Sequence, residues 1–249
     1  MPRGRVQTPY GTQLDLPPPF RLISLREVGD AFAHAIDVAP DEGAGTLVFV
    51  GRFDLAEFAV VLEPDEPLRT ARRAFYAGVA ALGDALAAQA PPEKPMGFDW
   101  PDAIRIDGGL VGGARLAWPQ DADEDAPPSW LVFGAMIRTV SLLGEAGVTP
   151  LAAALEDEGF ADFGSGQLVE GFARHLMMAI DTWQNAGFGP VARRYLSRLT
   201  LARGVRRDID LNGDLVIRRT GNTQPERRSL IAALATPSWL DPATGGPRI

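Results

Sequence analysis

Apolar residues fall into two rhythms along this chain, and the change between them marks out its elements. Short apolar runs punctuated by Gly, Pro and acidic residues read as strands: Phe20 to Ser24, Thr46 to Val50 and Phe58 to Leu62, with Gly51-Arg52 and Glu63-Pro64 as punctuation. Ala103 to Ile106, Leu110 to Trp118 and Trp130 to Val140 predict three more, the last two joined by the acidic loop Gln120 to Pro128 in a hairpin-like unit. Helical spacing covers Leu25 to Asp37, with Val28, Phe32 and Ile36 on one face and a turn over Pro40 to Gly45. It covers Leu68 to Ala88 as well, where Asp65, Glu66 and Pro67 suit the amino end and Ala90-Pro91-Pro92 stops it. From Leu151 the helical period takes over, most clearly over Ser165 to Asn185 and Pro190 to Leu201. Beyond it, Arg206 to Asp210, the turn Asn212-Gly213 and Leu215 to Arg219 form a second small hairpin, followed by a short helix near Arg227 to Leu234. The class is α+β. Its expected division is an extended lead-in over 1–19, a main domain over 20–203 and a small C-terminal module over 204–249.

Composition narrows what such a fold can do. A hydrophobic fraction of 46% supports a sizeable core, while the net charge of −8 argues against general nucleic-acid binding, which needs a clustered positive field. Arginines do cluster at 193, 194, 198, 203, 206 and 207, but they alternate with apolar residues as a solvated helix face does. The chain has no cysteine, which removes disulfides, thiolate nucleophiles and cysteine-held metals, and its two histidines, His34 and His175, lie far apart. No secretory pattern follows Met1 and no run approaches a membrane span, so a cytoplasmic protein with no membrane partner is the expectation.

Candidate chemistry concentrates in the middle. Gly108-Gly109 suits a turn between strands, but Gly112 and Gly113 fall inside a strand, as does Gly134 in the next. Interior strand glycines mark a bulge or a close approach by a ligand or another backbone. By alternation Gly113 shares a face with Arg115, and Gly134 shares one with Met136 and Arg138. If the two faces coincide they form a shallow slot rimmed by guanidinium groups, which favour carboxylate or phosphate. The same residues equally describe glycines packed beneath a helix and arginines turned to solvent.

The run Trp100-Pro101-Asp102-Ala103, its hairpin turn, and Leu110-Val111-Gly112-Gly113 resemble the core of the biotin and lipoate protein ligase family. The family pattern there is Trp-Pro-Asn-Asp, a turn, Lys-Leu-Ala-Gly, then a strand of the form Gly-Ile-Gly-Ile-Asn. Gly113 falls on the glycine after the family lysine and Gly134 on the first glycine of the later strand. The helices that follow and the Asp210 to Leu215 turn also look like the ligases' later elements. The resemblance implies a ligase-like fold, a mixed or antiparallel sheet with packed helices and a small C-terminal α/β module. It also implies a small carboxylate or acyl ligand, ATP with magnesium as cofactor, and an acceptor protein.

The departures bear on chemistry. Leu110 stands at the family's lysine, Asp102 and Ala103 replace Asn and Asp, and Gly134-Ala135-Met136-Ile137-Arg138 replaces the later motif. No arginine-and-glycine-rich loop precedes residue 98, and the sole lysine, Lys94, lies among prolines. The family ammonium neutralises carboxylate and α-phosphate as they approach, and one such donor is worth roughly 3 kcal/mol. Octanoyltransferases of the family also need a cysteine, which is absent. Arg115 stands where biotin ligases carry an aliphatic wall residue, so a more anionic ligand than biotin is implied. The candidate ligand residues are Arg52, Trp100, Asp102, Gly112, Gly113, Arg115, Gly134 and Arg138, with no catalytic residue assigned. A divergent acyl-protein ligase or acyltransferase-like protein is the leading expectation. A non-catalytic small-anion-binding regulatory module is the alternative.

Overall fold

The structure is a computed structural model that describes residues 14–141, 151–160, 163–200 and 203–249. Residues 1–13 of the expected lead-in, and Leu201 at the end of the expected second long helix, lie outside them. In chain order the elements are β1 (Arg21–Leu25), α1 (Ala31–Glu42), β2 (Thr46–Gly51), β3 (Leu55–Leu62), α2 (Leu68–Ala71), α3 (Ala74–Ala87), β4 (Met96–Asp99), β5 (Ala103–Ile106), β6 (Gly109–Ala117) and β7 (Leu131–Arg138). Then come α4 (Ser165–Ala186), α5 (Phe188–Leu196), β8 (Val205–Ile209), β9 (Leu215–Arg219), β10 (Glu226–Arg228) and α6 (Leu230–Leu234).

Seven strands form one mixed sheet in the order β1-β2-β3-β7-β6-β5-β4, with only the β1–β2 pair parallel. A separate antiparallel sheet, β10-β9-β8, carries the C-terminal module. Alternating side chains divide the large sheet cleanly. Phe49, Phe58, Val60, Phe133, Ala135 and Ile137 face α3, α4 and α5 in the main core, where Phe133 and Phe172 stack at 5.5 Å. The helix α4 supplies that face by helical spacing, burying Leu168, Val169, Phe172, Ala173 and Leu176.

Several boundaries differ from the pattern-based reading. The first long helix starts at Ala31, because the Asp30 carboxylate accepts the Ala33 N–H at 2.9 Å, and it runs past Pro40 to Glu42. Its buried stripe is Ala31, Ala35 and Ala39, whereas Val28 precedes the helix and is 96% exposed. Leu68 to Ala88 breaks into α2 and α3 at Arg72-Arg73. There Arg72 pairs with Glu124 of the acidic loop and lies 4.6 Å from the Trp118 ring, and Ala126 O accepts the Leu68 N–H, so loop and helix start are clamped together. Strands β4 and β10 escaped prediction because four and three residues are too few to show alternation.

Candidate functional site

The second face of the sheet is where the candidate residues meet. Across β6 and β7, Gly113 lies opposite Met136 and Arg115 opposite Gly134; Arg138 in turn lies opposite Leu55 of β3. Gly113, Arg115, Gly134, Met136 and Arg138 therefore share one side. Alternation breaks at Gly112, whose φ of +153° only glycine adopts without strain and where a side chain would collide with the Met136 carbonyl. Opposite it, the β5 register shifts between Ile104 and Arg105, which is the signature of a bulge. The bulge turns Val111 into the main core and Leu110 to the other face, beside Met136, Leu55 and Ala103. The backbone thus aims residue 110 at the slot, and the side chain delivered there is a leucine.

Both bare patches are covered by the chain's own aromatic rings. A methyl group at Gly134 would strike Phe32 of α1, and one at Gly113 would strike the indole of Trp239. The slot expected from the glycines is thus filled in this conformation, half by helix α1 and half by residues following α6. Arg115 is largely buried with its guanidinium 4.3 Å from the Phe32 ring centre. Its nearest acid, Asp30, is 3.8 Å away, and its Nε has no hydrogen-bond partner. Arg138 has no carboxylate partner among the described residues: it donates to the carbonyls of Ala153 at 3.3 Å, Pro247 at 2.8 Å and Arg248 at 3.3 Å. Burial lowers the pKa of both arginines, and at Arg115 the negative charges of Asp30 and Glu57 oppose it.

Asp102, fully buried, accepts the Ser238 N–H at 2.9 Å and the Ser238 hydroxyl at 2.7 Å. Burial raises its pKa against the lowering effect of those bonds. Its role in this conformation is to hold the segment that carries Trp239. Arg52 lies in the β2–β3 turn and forks onto Asp54 at 2.7 and 3.1 Å, so its donors are largely engaged. Trp100 does not join the others. It packs on the main-core side, donating from Nε1 to the Tyr76 hydroxyl at 3.1 Å, and lines a cavity between β4 and the small sheet. Lys94 is also elsewhere, bound to Asp107 at 2.9 Å and Glu158 at 2.8 Å, partners that raise its pKa.

Glu57 was not singled out from the sequence. It is 4% exposed, lies opposite Met136 on the same face, and accepts the Ala31 N–H at the start of α1 at 2.9 Å. Desolvation raises its pKa, with the positive charges of Arg52 and Arg115 opposing. One signal was visible: Glu57 interrupts the otherwise apolar run Leu55 to Leu62, and a charged residue in such a run is costly unless it has a task.

A family model described as the biotin/lipoate A/B protein ligase family matches residues 16–197. A biotin protein ligase-like protein of unknown function from Silicibacter sp. TM1040 is similar over 88% of this chain and 98% of its own, at 28% identity and a TM-score of 0.75. The biotin protein ligase of Aquifex aeolicus shares the fold at 13% identity and a TM-score of 0.62, covering 84% of this chain and 99% of its own. That of Leishmania major, solved with biotin, shares it at 16% identity and 0.53, covering 85% and 99%. No curated protein matches the chain significantly.

Proposed function

Since this chain belongs to the biotin/lipoate A/B protein ligase family, we propose that it works as a divergent acyl-protein ligase or acyltransferase-like protein that holds a small carboxylate or acyl-nucleotide ligand against β6 and β7. One observation supports the reading: Arg115 and Arg138 share one sheet face with incomplete pairing, Arg115 with an idle Nε and a 3.8 Å ion pair to Asp30, Arg138 spending its donors on carbonyls. A buried, incompletely paired guanidinium favours an incoming anion, and the fork geometry suits a carboxylate.

The residues do not fit an ATP–magnesium pair in the way the family resemblance implied. Leu110 offers no ammonium for an α-phosphate, Arg52 is committed to Asp54, and the β2–β3 connection is too short to fold over a nucleotide. An acyl transfer to an acceptor protein would draw charge stabilisation from Arg115 and Arg138. The second reading is an anion-binding regulatory protein without turnover, on the same face and with Leu110 buried among Met136, Leu55 and Trp239.

Thermal unfolding with a panel of carboxylates headed by octanoate tests the shared premise: binding raises Tm in the wild type and Arg115→Ala abolishes the rise. No shift across the panel overturns it. Pyrophosphate release or acyl transfer to a carrier protein then separates the two readings, since the regulatory one expects neither.

A further inference from the structure

Phe32, which closes one half of the candidate site, lies within the stretch matched by the family model, but the cover of the other half does not. The match ends at residue 197, yet the Gly113 half of the slot is covered by Pro237 onward. That segment is built as a self-contained loop. Arg248 N–H donates to the Trp239 carbonyl at 2.8 Å, Arg248 Nε to the Ser238 carbonyl at 2.9 Å, Asp241 N–H to Gly246 at 2.9 Å and Gly245 N–H to Asp241 at 2.8 Å. It adds no strand to the seven-stranded sheet.

Its polar anchors to the main domain are few. Asp102 holds Ser238, the Trp239 indole donates to the Ala114 carbonyl at 3.1 Å, and Arg138 grips the Pro247 and Arg248 carbonyls. Trp239 is fully buried, whereas Ala235, Thr236 and Ser238 before it are exposed and Pro237 is half-buried. A connection of that kind can swing without unfolding anything else.

We infer that segment 237–249 is a detachable, autoinhibitory cover: Trp239 occupies the Gly113 subsite and the two tail carbonyls occupy Arg138, the donors and space an anionic ligand would use. Docking and ligand binding are then mutually exclusive, so the cover's equilibrium sets the apparent affinity of the site. The anchor at Arg138 is a cation holding carbonyls in place of a charge, and a carboxylate can outcompete those carbonyls there, while the indole and Ser238 bonds lie apart on Ala114 and Asp102. Only the competition arm rests on the proposed carboxylate ligand.

Native-state hydrogen exchange on the full-length chain is the test. The amides of Trp239 and Arg248 are expected to exchange at least about 100-fold faster than those of β6 and β7, with little dependence on denaturant, as a local opening does. If instead they exchange at the rate of the sheet and with the same denaturant dependence, the segment is an integral part of the fold and the cover is overturned. Full-length Trp239→Ala, probed with octanoate by calorimetry, is expected to bind about 10-fold or more tightly than wild type. Octanoate bound equally by both chains would overturn autoinhibition, whereas local opening with no octanoate binding by either chain would support a detachable segment and overturn the carboxylate reading, so the two failures are distinguishable.

Discussion

The two faces of the seven-stranded sheet are built from the same strands but to different ends. Toward α3, α4 and α5 the central strands β3, β7 and β6 present apolar residues, and phenylalanines from β3, β7 and α4 pack together. Toward α1 and segment 237–249 the same strands present Glu57, Arg115 and Arg138, with Asp102 buried beside them. Buried charge with incomplete pairing weakens a fold, and on this face it stands beside two glycines. The cover differs too. The first face is sealed by two long helices of the family domain, the second by one helix and a loop from beyond it.

The largest expected effect tests the asymmetry of the covers. Phe133→Ala should cost about 3–5 kcal/mol in chemical denaturation, as truncating a buried aromatic in a rigid core does. Trp239→Ala, although its ring is as deeply buried, should cost only about 1–2 kcal/mol, because a segment that opens locally cannot lose more than its own docking energy. Equal losses would erase the distinction between the two covers.

A smaller effect, of opposite sign, concerns Arg115. Arg115→Met should stabilise the chain by about 1 kcal/mol, since an apolar chain of similar length removes a buried cation with an idle Nε. The same variant should lose the octanoate-induced rise in Tm. A loss of stability would show the guanidinium to be a structural partner of Phe32 and Asp30 instead of a group held ready for a ligand.

The smallest effect is a pH signature at the anchor of the cover. Asp102 has a pKa raised by burial, so the stability it supports is fully present below the ordinary aspartate value of about 3.9 and is lost as pH rises through its folded pKa. Asp102→Asn cannot ionise and escapes that loss. The Tm of the variant relative to wild type should therefore climb as pH is raised from about 4 toward neutrality. A gap that stays flat would mean that the hydrogen bonds from Ser238 offset the raising effect of burial on Asp102.

Local pattern carried much of this architecture. Alternation and period located the strands and long helices and separated the small C-terminal sheet. Which glycines and arginines share a side of β6 and of β7 was legible from alternation, but that the two sides coincide came only from the paired register. The motif around Trp100 to Gly113 was legible as that of a ligase. Two placements did not follow. Trp100 belongs to the main-core side despite its place in the motif, because it points toward Tyr76 of α3. The bulge at Gly112, which decides where Leu110 points, shows itself only in the paired backbone.

What occupies the bare backbone was decided by tertiary structure alone. Trp239 and Ala114 are 125 residues apart, and Ser238 and Asp102 136 apart. Periodicity and composition describe which side of its own element a residue takes, and they carry no information about which distant segment will be laid upon it. The sequence by itself indicated the family scaffold, with Leu110 where the resemblance puts a lysine and with arginines on the same strands as the glycines. Only the folded chain, by bringing Phe32 and Trp239 onto that surface, decided that the space is held by the protein itself.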